Sequence, residues 1–353
     1  MMHARFRRWW SHFARIAFQP GGFAAGTTSP PPFPANGRGA GDPHAEARPW
    51  LDVPTLMSIQ SLELRVRRLV QGIQRGVHRS VRRGYSNEFS EYRPYVPGDD
   101  LRHMDWRRMA RTDRPYVRQY EDESEWSCLI VADLSASMNF RSLPYSKADY
   151  ARTLAGTLGA FLYGQGDAVG LLRFADGVGE AVPVRRAMRQ MSRWWPLLAT
   201  PPSGEGTDLC SALQAAQRVM RRAGLVVVVS DFLANPESWK ESLALLRAAR
   251  HDVVLFEVLD PREIEFSFEG DTRFEMLEGG RVLEVDAAQV RESYLERVRT
   301  HRALLRSLAE DHGALLFEAC TQQPLEPLLR GVLAAVASRR SGSRCAAKSE
   351  TGT

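Results

Sequence analysis

From Trp126 onward, the chain alternates short apolar runs with segments whose apolar residues recur at the spacing of a helix. Apolar runs without polar interruptions are typical of strands buried on both faces of a parallel sheet. The alternation therefore predicts an α/β fold with a doubly wound, mostly parallel sheet covered by helices. The predicted strands are 127–132, 168–174, 224–230, 252–258 and 313–318, and the predicted helices are 146–163, 208–222, 236–249, 288–312 and 324–337.

Residues 261–284 interrupt the alternation of strands and helices. Within them, Glu278-Gly-Gly280 has the composition of a hairpin turn. We therefore expect a hairpin inserted into an α/β domain that covers 126–337, followed by a disordered tail over 338–353.

Upstream of this domain, the sequence divides into an arm and a small module. Much of 1–56 is rich in Gly, Pro, Ala and Ser and has no hydrophobic period, which predicts a disordered arm. The module over 57–125 begins with an amphipathic helix, because its apolar residues follow the helical period and its arginines lie largely on the other side. Further along, Pro97-Gly98 suits the centre of a type II turn and 115–120 predicts a strand, so the module is small and β-rich.

The charge of the chain is unevenly distributed. The net charge is +5 at pH 7, but residues 1–83 contain thirteen arginines and four acidic residues, which gives +9 there and −4 for residues 84–353. A basic segment can bind nucleic acid or anionic lipid. Between 88 and 118, however, acidic residues alternate with the basic and aromatic ones, so we expect internal ion pairs and no specific nucleic-acid site.

The cysteines and the hydropathy of the sequence indicate in which cellular compartment the protein is expected. The four cysteines lie far apart without a CxxC pair, so they indicate neither a zinc site nor a disulfide framework and favour a reducing compartment. No run approaches the roughly 18–20 apolar residues of a membrane span. The Arg-rich N-terminus lacks the apolar core of a secretory signal, although an organellar presequence stays open as an alternative. We expect a cytoplasmic protein without a membrane span.

Oxygen-bearing side chains follow two predicted strands and open the helix between them. Asp133, Ser135 and Ser137 come directly after the first apolar run of the α/β domain, and Asp231 follows another such run. Carboxyl ends of parallel strands meet at one edge of a sheet, and Thr207 stands in a glycine-rich loop that can reach the same edge. Such oxygens suit Mg²⁺, or another divalent cation such as Mn²⁺ or Ca²⁺. Because few of the donors are charged, a coordination position stays open for a carboxylate from a protein partner.

Other interpretations of these residues are open. The serines can satisfy backbone donors of a strand-to-helix loop, and Thr207 or Asp208 can cap the following helix. Phosphohydrolases with an aspartate nucleophile also place Asp after a first strand and use Mg²⁺. Their motif at that point is similar to Asp-x-Asp, however, whereas position 135 of this chain is Ser. The chain has no G-x-S-x-G elbow and no Gly-Lys pair, so we expect neither a serine hydrolase nor a P-loop ATPase.

The set Asp133-x-Ser135-x-Ser137 with Thr207 and Asp231 resembles the metal-ion-dependent adhesion site, or MIDAS, of von Willebrand factor A domains. The resemblance implies a von Willebrand factor A-like, Rossmann-like fold. It also implies that the serines and the threonine touch the ion while the acids act partly through water.

The run from Gly84 to Trp106, GYSNEFSEYRPYVPGDDLRHMDW, narrows the resemblance. It is similar to the signature of a bacterial family of A-domain proteins known as domain of unknown function fifty-eight, and the likeness covers about 57–335. Residues 1–56 are accordingly either a disordered arm or a misannotated start. Members of this family are commonly encoded beside MoxR-type AAA+ ATPases, so the resemblance implies work with such an ATPase in assembling or activating other complexes.

Together, these observations predict a non-enzymatic, Mg²⁺-dependent protein–protein interaction module that recruits an acidic side chain of a partner, with a MoxR-type AAA+ ATPase as the implied partner. One alternative is a scaffold whose metal site is empty or structural and whose 84–125 segment does the binding. A less favoured alternative is a Mg²⁺-dependent phosphohydrolase.

Overall fold

The structure is a computed structural model of the chain. It describes residues 52–80, 91–94, 104, 109–111, 114, 116–119, 126–187, 189–204, 206–275 and 282–350. The described residues divide into two compact units: those up to Ile73 and from Trp126 onward belong to one, and those between Gln74 and Glu125 belong to the other.

The elements of the described residues are numbered in chain order. The strands are β1 Glu91–Pro94, β2 Tyr116–Gln119, β3 Ser127–Asp133, β4 Ala168–Phe174, β5 Val178–Arg185, β6 Leu225–Ser230, β7 Asp252–Leu259, β8 Asp271–Glu275, β9 Val282–Asp286 and β10 Leu315–Cys320. The α-helices are α1 Val53–Met57, α2 Leu62–Ser80, α3 Lys147–Gly164, α4 Gln190–Ala199, α5 Leu209–Val219, α6 Lys240–Ala248, α7 Pro261–Glu265, α8 Ala287–Asp311 and α9 Leu325–Glu350.

The core of the larger unit is a six-stranded sheet in the order β10-β7-β6-β3-β4-β5. Its neighbouring strands run parallel, except that β5 is antiparallel to β4. The central strand β6 is buried at every residue because its side chains are apolar on both faces up to Ser230. Helices α3, α5 and α6 pack against the sheet. The predicted fold class, a doubly wound and mostly parallel α/β sheet, is confirmed.

Between β4 and α5, one strand and one helix were not predicted from the sequence. Both β5 and α4 lie between β4 and α5, in a stretch that lacks a continuous apolar run. As the edge strand, β5 exposes its first four residues and contains Pro183, which edge strands tolerate. The helix α4 is short and contains Pro196. The predicted helix over 236–249 begins as a separate 3-10 turn, Pro236–Ser238, followed by α6.

Helices α1 and α2 open the described part of the chain. Asp52 caps α1 through a hydrogen bond from the Thr55 amide, and Val53 and Leu56 are buried. The predicted boundary of the arm at residue 56 is therefore corrected, since 53–56 already contribute to the core. The predicted amphipathic helix is confirmed as α2.

The first part of α2 docks on the body of the larger unit. Its apolar residues Val66, Leu69 and Ile73 are buried. On the α9 side, the Arg330 guanidinium donates to the carbonyl of Gly72 at 3.3 Å. A side chain at position 72 would collide with the Glu326 carboxylate, so glycine permits this close approach.

Within and just beyond the predicted insertion at 261–284, β8 pairs antiparallel with β9 and forms a hairpin. Its turn, Glu278–Gly280, lies outside the described residues. A largely aromatic hydrophobic cluster fixes the hairpin to the body, and its fully or nearly buried members are Phe140, Phe266, Phe274 and Ala287. Phe140 belongs to the loop that follows β3, so the hairpin packs against the carboxyl edge of the sheet.

The last helix differs from its predicted extent. Residues 338–353 were predicted to be a disordered tail, but α9 continues to Glu350. Three arginines, two alanines and one lysine in this segment favour helix, which the polar composition obscured. Among the described residues, no helix is long and apolar enough to cross a membrane.

The smaller unit contains a two-stranded antiparallel sheet in which β1 pairs with β2, Tyr92 lying opposite Arg118. The strand predicted at 115–120 is confirmed as β2, and β1 was not predicted. The turn predicted at Pro97-Gly98 lies outside the described residues.

Candidate metal site at the carboxyl edge of the sheet

The two predicted acids lie at the ends of neighbouring parallel strands. Asp133 is the last residue of β3, and Asp231 directly follows β6, where Ala132 pairs with Val229. Each acid is 1% exposed. The sheet thus brings both carboxylates to its carboxyl edge, the position expected from the sequence.

The two predicted serines join the acids through a short 3-10 turn, Ala136–Asn139. The Asp133 carboxylate accepts a hydrogen bond from the Ser135 amide at 2.8 Å, which fixes the start of the loop. The hydroxyl oxygens of Ser135 and Ser137 lie 3.1 Å apart. The Ser137 hydroxyl donates to Asp231 Oδ2 at 2.7 Å and so links the two strand ends.

The loop that contains Thr207 is hydrogen-bonded beside these residues. The Ser203 amide donates to the Leu134 carbonyl at 2.8 Å, and the Asp208 amide donates to the Ala175 carbonyl at 2.7 Å. Asp208 is the N-cap of α5 and accepts from the Ser211 amide. Of the two capping candidates, Asp208 therefore caps the helix, and the role of Thr207 at the cation stays a prediction.

Three further side chains at this edge were missed by sequence reasoning. The Ser230 hydroxyl donates to Asp133 Oδ2. The Lys147 ammonium is fully buried and lies 2.9 Å from Asp231 Oδ2 and 2.8 Å from Glu263 Oε1. These contacts extend the cluster from β3 and β6 to the first turns of α3 and α7.

The sequence does contain a signal for Lys147. It is one of three lysines in a chain with 47 lysine and arginine residues, and it stands in the first turn of the largely apolar helix α3. A cation there faces the positive end of the helix dipole, so it needs a carboxylate partner from elsewhere. Glu263 carries no comparable signal, because its capping box with Asp260 explains it locally.

The electrostatics of the cluster leave Asp133 in need of a positive charge. Burial, and then the charge of Asp231, raises the pKa of Asp133 to about 7, although hydrogen bonds from Ser230 and Ser135 oppose the shift. Burial also raises the pKa of Glu263 against the opposing charge of Lys147. For Lys147 burial acts to lower the pKa, but the carboxylates of Asp231 and Glu263 outweigh it and raise the pKa. In their charged forms, three carboxylates and one ammonium sum to a formal charge of −2.

The donor set fits a small divalent cation. Octahedral Mg²⁺ with ligands at roughly 2.0–2.1 Å holds adjacent ligand oxygens about 2.9 Å apart. The Ser135 and Ser137 hydroxyl oxygens are separated by 3.1 Å, close to that edge length. Across the described residues, no group of three or more His, Cys, Asp or Glu side chains is arranged to hold a metal ion. The fit therefore rests on the two hydroxyls together with the uncompensated charge at Asp133.

Comparisons of the sequence with known proteins identify one family. The model of the family described as "Protein of unknown function DUF58" matches residues 91–304. Uncharacterized proteins of Mycobacterium tuberculosis and Mycobacterium bovis are 34% identical over 307 residues, which covers 85% of this chain and 95% of theirs.

Similar solved structures were also found. The conserved hypothetical protein BatB from Bacteroides thetaiotaomicron has a TM-score of 0.44 and 17% identity, covering 60% of this chain and 98% of that one. The SpRpn10 VWA domain has a TM-score of 0.37 and 11% identity, covering 58% of this chain and 94% of that domain.

Proposed function

The chain belongs to the DUF58 family, and on that premise we propose that it is a non-enzymatic interaction protein. Its carboxyl sheet edge binds Mg²⁺, or Mn²⁺ or Ca²⁺ in its place, and the bound ion recruits an acidic side chain from a protein partner.

The observation that carries this proposal is the pairing of two close hydroxyls with an uncompensated buried carboxylate. Ser135 and Ser137 are neutral ligands, so an ion held by them keeps much of its positive charge. Asp133 and Asp231 neutralise part of that charge through direct or water-mediated contact. A partner carboxylate that completes the coordination shell then gains a charge-assisted contact. Thr207 is the predicted third hydroxyl.

A MoxR-type AAA+ ATPase is the partner that we propose from the family resemblance. The sequence has no Gly-Lys pair and hence no P-loop of its own, so ATP hydrolysis would come from the partner. In this arrangement the protein contributes the adhesion site, and the ATPase contributes the energy for assembling or activating another complex.

Calorimetric titration of the full chain with MgCl₂, after dialysis against EDTA and then buffer, tests the metal site. We expect binding heat for the parent and at least a tenfold weaker affinity for Asp133→Asn. Asp286→Asn serves as the matched control, since Asp286 caps α8 and contacts neither serine. Absence of heat and of a thermal shift with Mg²⁺, Mn²⁺ and Ca²⁺ would contradict the proposal.

That negative result would favour the scaffold alternative, for which one contact offers support. Lys147 already supplies a cation to Asp231, so the cluster is partly neutralised without a metal. The two functions also differ in partner binding. A purified MoxR-type ATPase should bind the immobilised protein in Mg²⁺ and dissociate in EDTA if the ion mediates docking, whereas a scaffold would bind equally in both.

A further inference from the structure

Lys147 lies at the centre of the acidic cluster although it is not a candidate ligand. It is 0% exposed, and its ammonium lies between the carboxylates of Asp231 and Glu263. The ring centroid of Phe140 is 6.0 Å from the same nitrogen. A buried ammonium is costly unless it is paired, so the fold maintains this residue for the contacts that it makes.

The contact with Asp231 has a consequence for Ser137. Both Lys147 and the Ser137 hydroxyl donate to the same oxygen, Asp231 Oδ2, at 2.9 and 2.7 Å. A serine hydroxyl has one proton and two lone pairs. Because the proton of Ser137 is directed at Asp231, its lone pairs are directed away from that carboxylate: one accepts from the Ser135 hydroxyl at 3.1 Å, and the other is available to a cation.

The second oxygen of Asp231 is fixed by the backbone. Asp231 Oδ1 accepts from the Leu233 amide at 3.3 Å. The carboxylate is thus held at Oδ1 by the loop after β6 and at Oδ2 by Lys147, and the Ser137 hydroxyl is oriented by its contact with the same Oδ2.

We propose that Lys147 is a positioning residue for the cation site: it holds Asp231 so that Ser137 donates its proton to Asp231 and presents its lone pairs to the ion. The inference rests on the proposed function, because it needs a cation at the serines. It adds an orienting chain that runs from Lys147 through Asp231 to Ser137, of the kind that outer-shell groups supply to metal ligands.

Glu263 offers a matched control for this chain. Its Oε1 lies 2.8 Å from the Lys147 ammonium, and its other oxygen accepts from the Asp260 amide at 2.8 Å. Its carboxylate contacts the Lys147 ammonium and the Asp260 amide, and neither of the serines. Glu263→Gln therefore removes one of the charges around Lys147 but leaves the contacts of Asp231 with Lys147 and Ser137 in place.

The experiment is a double-mutant cycle on Mg²⁺ affinity, measured by calorimetry with MgCl₂ as the probe. Lys147→Met alone would leave two buried carboxylates without their cation and can fail to fold, so the cycle is built on Glu263→Gln. Its members are Glu263→Gln, the same with Lys147→Met, the same with Ser137→Ala, and the combination of all three changes. Thermal denaturation in EDTA verifies that each one folds.

We expect Glu263→Gln to bind Mg²⁺ within about twofold of the parent. Adding Lys147→Met should weaken binding at least tenfold, and adding Ser137→Ala should have a similar effect. The triple variant should be no weaker than either double variant, because both changes break one chain of contacts. A merely structural role would change the thermal midpoint without this non-additivity.

Two results would overturn the inference. One is Mg²⁺ affinity that survives Lys147→Met in the folded double variant, and the other is a triple variant whose loss is the product of the two separate losses. Failure of the parent itself to bind Mg²⁺ is a different outcome, since it removes the proposed function before Lys147 is tested.

Discussion

The two acidic strand ends are alike in sequence but are held differently. Asp133 accepts hydrogen bonds from neutral donors, the amide of Ser135 and the hydroxyl of Ser230. Asp231 accepts from the Ser137 hydroxyl and also from the ammonium of Lys147. Burial and the nearby charge of Asp231 raise the pKa of Asp133 to about 7. The comparison shows that an apolar strand followed by an acid specifies where a carboxylate lies but not how its charge is balanced.

The difference divides the cluster into two halves. At Asp231 the positive charge is built into the chain, because Lys147 is fully buried and cannot be exchanged. At Asp133 the charge has to come from a proton or from a bound ion. We therefore expect changes on the Asp231 side to affect folding as well as metal binding, and changes on the Asp133 side to affect metal binding and pH dependence.

The largest effect should come from Lys147→Met in the otherwise unchanged chain. Removing the ammonium leaves Asp231 and Glu263 buried without their partner, and breaking a buried ion pair costs about 3–5 kcal/mol. With two carboxylates affected, we expect a loss at the upper end of that range in urea denaturation. Asp133→Asn in EDTA should cost far less, and equal losses for the two variants would contradict the division.

The pH dependence of stability should isolate Asp133. Its pKa of about 7 in the folded state exceeds its ordinary value of 3.8, so the folded state holds a proton that the unfolded state has released. The free energy of unfolding of the metal-free protein should therefore fall as pH rises from about 4 to 7, by on the order of 4 kcal/mol at most.

The control for this prediction is Asp133→Asn. Burial also raises the pKa of Glu263 and Glu257, and both contribute with the same sign in parent and variant. The difference between the two denaturation curves therefore reports Asp133. A parent and variant with parallel pH profiles between 4 and 7 would show that Asp133 is not the uncompensated group.

Addition of Mg²⁺ should have a somewhat smaller effect, and it should depend on Asp133. At a free concentration of 100 times Kd, ligand binding stabilises the folded state by about 2.7 kcal/mol. We expect this increase in the free energy of unfolding at pH 7 for the parent and little increase for Asp133→Asn, measured in urea with and without MgCl₂. An equal increase in the two proteins would place the ion elsewhere.

Much of the fold could be predicted because its central strands are apolar on both faces. In β3 and β6 the pattern is continuous, and the acid that follows each one fixes the carboxyl edge. The edge strand β5 was missed because half of it faces solvent and Pro183 interrupts it. Local patterns predict strands from burial, so an exposed edge gives a weak signal.

The site was predictable in its oxygen donors but not in its charge balance. Asp133, Ser137 and Asp231 follow from strand ends, whereas the contact of Lys147 with Asp231 joins residues 84 positions apart. That pairing depends on how α3 packs over β6, which no local pattern specifies. The position of Lys147 at the unfavourable end of a helix dipole was the available signal for a distant partner.

The smallest expected effect on the free energy of unfolding is the difference between Ser230→Ala and Ser137→Ala, because these serines donate to different acids. Ser230→Ala removes the donor to Asp133 Oδ2 and the acceptor of the Phe232 amide. Ser137→Ala removes a donor to Asp231 Oδ2, but that oxygen keeps the ammonium of Lys147.

In EDTA at pH 7 we expect Ser230→Ala to lower the free energy of unfolding by about 1–3 kcal/mol, which is typical of a buried charged group that loses its partner. Ser137→Ala should cost less than about 1 kcal/mol, because the built-in cation still satisfies its acid. Urea denaturation of both variants measures the contrast, and a larger loss for Ser137→Ala would mean that Lys147 does not compensate Asp231.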